Sequence, residues 1–232
     1  MRQVTFASLD LEQQTTALNL VYRDGQMPFQ VAPDWVAEHL HAHCIDTERS
    51  PLWLDPRGQV VALSLLAERD GRAWIGGFGV APAYRGNRFS QPVLQVTLAG
   101  LEQTPVQLEV LVPNVKARAT YERGGFVITR QLVVLEGRPG RPEQDLALAG
   151  PPCWQRQPVS LSRLQGLIWI GNSLAYRGHQ IHSVGEGACW GELAGHPRVR
   201  LSNEPVDSPL HRQLMGMGWH EVARQYEMHR VY

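Results

Sequence analysis

The first chemistry sits where a strand gives way to a helix. In VAPAYRGNRFS, residues 80–90, Pro82 breaks an extended run, Arg85-Gly86 makes a tight turn, and a helix starts near Phe89. The first N–H groups of a helix have no intrahelical partner, and the helix dipole adds positive potential there, so such a junction is an anion site. Gly86 permits a turn that a side chain resists, and Arg85 offers a fixed cation whose fork matches phosphate oxygens. The main-chain amides of Gly86, Asn87, Arg88, Phe89 and Ser90 are therefore the candidate phosphate ligands. Arg88 and Ser90 stand where a phosphate-wrapping turn usually carries smaller residues.

The surrounding elements follow from periodicity and turn residues. Residues 3–9 are expected as a short strand, and Asp10 as the N-cap of a helix over 11–22. Pro33-Asp34 opens a second helix. The meander that follows has strands at 52–55, 59–68 and 72–80, with turns at Pro56-Arg57-Gly58 and Asp70-Gly71. Residues 90–102 form a helix with Pro92 in its first turn, 106–112 a buried strand, 115–123 a short helix, and 126–136 another strand. This alternation predicts an α/β domain with a mixed central sheet flanked by helices.

Two patterns resemble one family, the GNAT superfamily of acyl-CoA-dependent N-acetyltransferases. Val80, Pro82, Arg85 and Gly86 fit its strand–loop–helix signature, which departs here at Arg88 and Ser90. Asn114, Ala117, Tyr121, Gly125 and Phe126 fit its later strand–helix–Gly-aromatic pattern. The resemblance covers residues 1–137 and implies acetyl-CoA as co-substrate, with its pyrophosphate on the amides of 85–90. It further implies that Asn114 bonds the pantetheine arm, that Ala117 leaves room beside it, and that Tyr121 protonates the departing thiolate. Main-chain N–H groups at Phe78, Gly79 and Val80 would polarise the thioester carbonyl, and a primary amine, small molecule or peptide, would attack it directly in a ternary complex. Strands 72–80 and 106–113 would have to splay at their C-terminal ends to admit the arm.

The strand AWIGGFG carries no carboxylate, so the base is sought on the next strand, at Glu109, which alternates away from Leu108 and Val110. A solvated or ion-paired strand carboxylate is the competing assignment. His39 and His43 share a helix face, while His41 points elsewhere. Two histidines without a third ligand do not make a zinc site, and the pair is expected as surface histidines or as part of the rim of the acceptor pocket.

Residues 138–158, rich in proline and glycine, are expected as a linker or crossover to a second, smaller α+β domain over 159–232. Trp74–Gly77 is echoed from Trp169, Ala83–Gly86 at Ala175–Gly178, Gly125-Phe126 at Gly218-Trp219 and Arg130-Gln131 at Arg224-Gln225, at offsets of 92 to 95 residues. This half is expected as a degenerate GNAT-like copy, with Met215 or Met217 where Tyr121 would be. Formal net charge is zero and no apolar run is long enough to cross a membrane, which points to a cytoplasmic protein without nucleic acid or membrane as partner; a monomer or homodimer is expected. Cys44, Cys153 and Cys189 are odd in number and far apart, as for reduced thiols. The alternative to an acetyltransferase is a catalytically idle CoA or acyl-CoA binder, or a scaffold, of the same fold.

Overall fold

The computed structural model describes residues 1–25, 30–141 and 143–231. The chain packs as two compact units, Met1–Thr129 with Glu227–Tyr232, and Arg130–Tyr226. The division differs from the expected cut after residue 137. It falls inside the strand that follows the Gly125-Phe126 motif, and the end of the chain returns to the first unit.

The first unit holds strands β1 (Arg2–Thr5), β2 (Pro51–Leu54), β3 (Val60–Arg69), β4 (Arg72–Val80) and β5 (Val106–Leu111) in that spatial order. Its helices are α1 (Leu11–Tyr22), α2 (Pro33–Ala42), α3 (Ser90–Leu98) and α4 (Val115–Arg123). Strands β1 to β4 pair antiparallel, and β4 pairs parallel with β5. Nearly all of β3 is buried, which is why its sequence, VVALSLLA, is a continuous apolar run. Phe6, Leu18, Val21 and Leu63 cluster in one core, and Val61 and Val93 in another, against which Phe78 and Phe89 pack.

Local chemistry sets the boundaries. The Asp10 carboxylate accepts the Gln13 N–H at 2.8 Å while Gln13 Oε1 accepts the Asp10 N–H at 3.0 Å, a reciprocal cap on α1. The expected strand over 3–9 is shorter. Residues 6–8 turn into a single 3₁₀ turn because the buried Phe6 donates its N–H to Ser50 O at 2.8 Å and the chain must swing into the cap. Helix α3 stops at Leu98 rather than 102, where Gly100 takes a φ of +78°.

The feature that matters most is where β4 and β5 part. Their pairing runs Ala73–Val106, Trp74–Gln107 and Ile75–Leu108 and goes no further. At that level β4 bulges: Leu66 faces Ile75 and Leu65 faces Gly77, so Gly76 is the extra residue. Beyond the bulge β4 stays on β3 up to Val80, while β5 continues to Leu111, and a slot opens between them.

The second unit contains most of β6 (Val127–Gly137), then β7 (Ile168–Ile170), β8 (Leu174–Arg177), β9 (Gln180–Val184), β10 (Val199–Pro205) and most of β11 (His220–Arg230), with helices α5 (Pro158–Leu161) and α6 (Pro209–Gly216). Its order is β11-β6-β10-β9-β8-β7. The segment over 138–158 is not a free tether: Leu146 and Trp154 within it are buried, Leu146 in a core with Trp190, Trp219 and Leu201. Pro142 lies outside the described residues. The Ala175–Gly178 echo is a strand and its turn, not a loop before a helix. The echo at Gly218-Trp219 does repeat a structural unit. Asn114 caps α4 and Ser208 caps α6; Gly125 and Gly218 take φ of +86° and +82°; Phe126 N–H bonds Tyr121 O and Trp219 N–H bonds Leu214 O, both at 3.1 Å. Counted back from that bond the position matching Tyr121 is Leu214; counted forward from the two caps it is Met215.

Candidate active site

Hydrogen-bond alternation fixes what faces the slot. Ala81 N–H donates to Val61 O at 2.8 Å, so Gly77 and Gly79 also turn toward β3 while Phe78 and Val80 turn the other way. Of the three expected carbonyl-polarising amides, Phe78 and Val80 therefore face the slot and Gly79 does not. Gly79 serves packing instead: a Cβ there would meet Val21 Cβ at 2.8 Å, so its absence lets α1 lie directly on β4. At Gly76 a Cβ would strike the Trp74 ring at 2.3 Å, so the bulge is also the floor on which the indole rests.

The Phe78 N–H has a partner that sequence reasoning missed. Tyr22, the last residue of α1, accepts it through Oη at 2.8 Å. The helical periodicity of α1 marks Tyr22 only as a flank of the apolar face, and nothing in the sequence links it to β4. Burial raises its phenol's pKa, so the hydroxyl stays protonated.

The loop after β4 has the expected form. Tyr84 and Arg85 close a 3₁₀ turn onto Ala81 O and Pro82 O, Gly86 takes a φ of +83°, and α3 begins at Ser90. Among the described residues the main-chain N–H groups of Gly86, Asn87, Arg88 and Phe89 bond to nothing. Arg88 has a φ of +59° with its side chain in solvent, so the backbone keeps the left-handed shape that glycine favours and the side chain stays clear of the amides. Ser90 Oγ lies 3.3 Å from Thr120 Oγ1, and Phe89 packs edge-on to Tyr84.

Arg85 is placed differently from a phosphate fork. Its Nε donates to Val80 O and its Nη2 to Val21 O, both at 3.0 Å, and Nη1 is 3.7 Å from the Asp24 carboxylate. It ties the loop to the end of α1, the turn beside Tyr22, and so contributes position as well as charge.

On the far side of the slot Asn114 caps α4, its Oδ1 accepting the Ala117 N–H at 3.2 Å, which leaves the Nδ2 donors for a ligand. Ala117 is half-buried. Tyr121, 5 % exposed, stacks edge-on to Phe78 at 5.6 Å and to Phe126 at 6.0 Å. Burial, reinforced by the neighbouring Tyr22 phenol, raises its pKa strongly, so it holds its proton at all ordinary pH. The structure thus gathers Phe78, Val80, Tyr22 and Tyr121 near one opening.

Glu109 belongs to a different group. Its Oε2 accepts the Trp74 indole N–H at 2.7 Å, and Oε1 lies 3.5 Å from Gln107 Nε2. Trp74 in turn meets His43 edge-on at 5.5 Å and His39 at 6.2 Å; His39 stacks on Trp35 at 4.6 Å and bonds the Gly76 carbonyl at the bulge. Burial lowers the His39 pKa to about 4, so the ring is neutral near neutrality. His41 is exposed.

A family model described as acetyltransferase (GNAT) family matches residues 15–126. That span contains the slot, the loop and both tyrosines. It is a GNAT acetyltransferase domain. That match supports an acetyl-CoA-dependent N-acetyltransferase, with acetyl-CoA as co-substrate. Solved structures share its fold at low identity. A protein described as an acetyltransferase from Pyrococcus horikoshii superposes with a TM-score of 0.71 at 14 % identity, covering 100 % of this chain and 88 % of its own. A GCN5-related N-acetyltransferase from Sphaerobacter thermophilus gives 0.64 at 14 % identity, covering 99 % and 95 %. No curated protein matches the chain significantly. Among the described residues no helix is long and apolar enough to cross a membrane.

Proposed function

We propose that this GNAT domain transfers the acetyl group of acetyl-CoA to a primary amine by direct attack in a ternary complex, with the reacting atoms in the β4–β5 slot. The observation that carries the proposal is the run of unspent main-chain donors from Gly86 to Phe89, held at the start of α3 beside that slot. These amides take the diphosphate, and Asn114 Nδ2 and the Val80 main chain take the pantetheine arm. The Phe78 N–H, once Tyr22 releases it, donates to the thioester oxygen as negative charge builds there. As the amine nitrogen bonds the carbonyl carbon and the C–S bond breaks, Tyr121 passes its proton to the thiolate. Glu109 accepts the proton lost by the amine, through a water. Its hydrogen bond from Trp74 fixes the carboxylate facing the Trp35–His39 side, which we assign as the acceptor's approach.

A second reading, an idle acyl-CoA binder, is favoured by one observation: the Tyr22 hydroxyl already occupies the Phe78 N–H. Thiol release from acetyl-CoA across a panel of amines separates the two. Turnover that collapses in Tyr121→Phe while CoA affinity holds supports transfer; a chain that binds acetyl-CoA and turns over no amine is the idle binder. The same reading takes Arg130–Tyr226 as a diverged copy in which Leu214 or Met215 replaces the acid and no CoA binds.

A further inference from the structure

The second unit contains a cavity of about 580 Å³ to which acetyl transfer gives no role. Its key residue is Arg156, set in the turn after Trp154 and only 7 % exposed. A buried guanidinium is costly unless its N–H groups and its charge are met. Most of it is met here. Nε donates to His182 O at 3.1 Å, and Nη1 donates to Asn203 O at 3.1 Å and to Glu204 Oε2 at 2.6 Å. Glu204, fully buried, also accepts the Gly150 N–H at 2.7 Å and the Ser208 hydroxyl at 2.6 Å. The pair is electrically balanced and rigidly held. Nη2 is left over: it bonds to no described residue, and Arg156 forms part of the cavity wall.

The rest of the wall selects the ligand. Trp169, 46 % exposed, offers a flat indole face at the rim, and Pro158 and Leu161 add apolar surface, while Asn172 supplies an amide. Among the described residues Arg156 is the only arginine or lysine in the wall, and Glu204 already balances it, so a phosphate dianion would bring two uncompensated charges where a monocarboxylate brings one. A cation would face the donors of Nη2. One oxygen acceptor on an apolar ring meets Nη2 and the indole together, and an ionised acceptor makes the stronger hydrogen bond. We propose that this cavity binds a small monocarboxylate with one apolar ring, its carboxylate on Arg156 Nη2 and its ring against Trp169.

The test is ligand-observed NMR on the full chain with benzoate, benzamide and benzylamine. Benzoate should bind, benzamide more weakly, and benzylamine not at all. Trp169→Ala, at a half-exposed position, should weaken benzoate by roughly three- to tenfold. Arg156→Lys should abolish the preference for benzoate over benzamide; if that variant unfolds by circular dichroism, Trp169→Ala still decides. Benzylamine binding as tightly as benzoate, no benzoate signal at about 10 mM, or a benzoate affinity indifferent to Trp169→Ala would each overturn the proposal.

Discussion

Tyr22→Phe deletes a single oxygen, the one that accepts the Phe78 N–H at 2.8 Å. The ring and its packing remain. If Phe78 donates to the thioester carbonyl during transfer, the free protein satisfies that donor with its own phenol, and acetyl-CoA must displace it. An intramolecular hydrogen bond contributes a net of about 0.5–1.5 kcal/mol. Since 1.4 kcal/mol is a factor of ten, removing the competitor should tighten acetyl-CoA binding by roughly two- to tenfold. CoA lacks the acetyl carbonyl, so its affinity should not change. Calorimetric titration of wild type and variant with both ligands reads the difference directly, and steady-state kinetics with a competent amine should show an unchanged kcat. Equal shifts for acetyl-CoA and CoA would make Tyr22 a packing residue only. A kcat lowered tenfold or more at unchanged affinity would refute the displacement argument, because the hydroxyl would then itself serve the reaction.

Other consequences are as open to measurement. Gly79→Ala places a methyl against Val21 and should cost about 1–3 kcal/mol in urea denaturation while α1 lifts from β4. Arg88→Gly relieves a left-handed non-glycine residue and should change stability by no more than about 1 kcal/mol in the favourable direction, whereas Arg88→Val should lose at least that much. The neutral His39 gives a pH signature. Its folded pKa of about 4 lies below the ordinary 6.5, so the unfolded chain binds the extra proton in between. Its contribution is complete above pH 6.5 and is lost as pH falls toward 4; His39→Phe should flatten the stability profile across that window.

Much of the first unit is legible in the sequence because its signals are local. The Asp10 cap, the glycine turns and the alternating or continuous apolar runs depend on neighbours within a few residues, and they placed α1, α3, α4 and β2 to β5 within a few positions. The strand–loop–helix spacing from Val80 to Ser90 and the helix–glycine–aromatic spacing from Asn114 to Phe126 were legible for the same reason. What long-range packing decides was not legible. Arg85 reads as a phosphate fork until α1 brings the Val21 carbonyl to it, and Tyr22 reads only as the end of a helix until the bulge at Gly76 turns the Phe78 N–H outward. The unit boundary inside β6 was not legible because β6 looks like one strand from 127 to 137, and no local feature marks where its packing partners change. In the second helix–glycine–aromatic unit, the bond from Trp219 N–H that puts Leu214 opposite Tyr121 was not legible either.

The central claim is that main-chain donors from Gly86 to Phe89 anchor a diphosphate beside the β4–β5 slot. Titrating the full chain with CoA and, separately, with pantetheine, which lacks the diphosphate and nucleotide, tests it most directly. Saturable heat with CoA and none with pantetheine at the same concentrations is the predicted result. Pantetheine binding as tightly as CoA, or no heat from CoA, would contradict it.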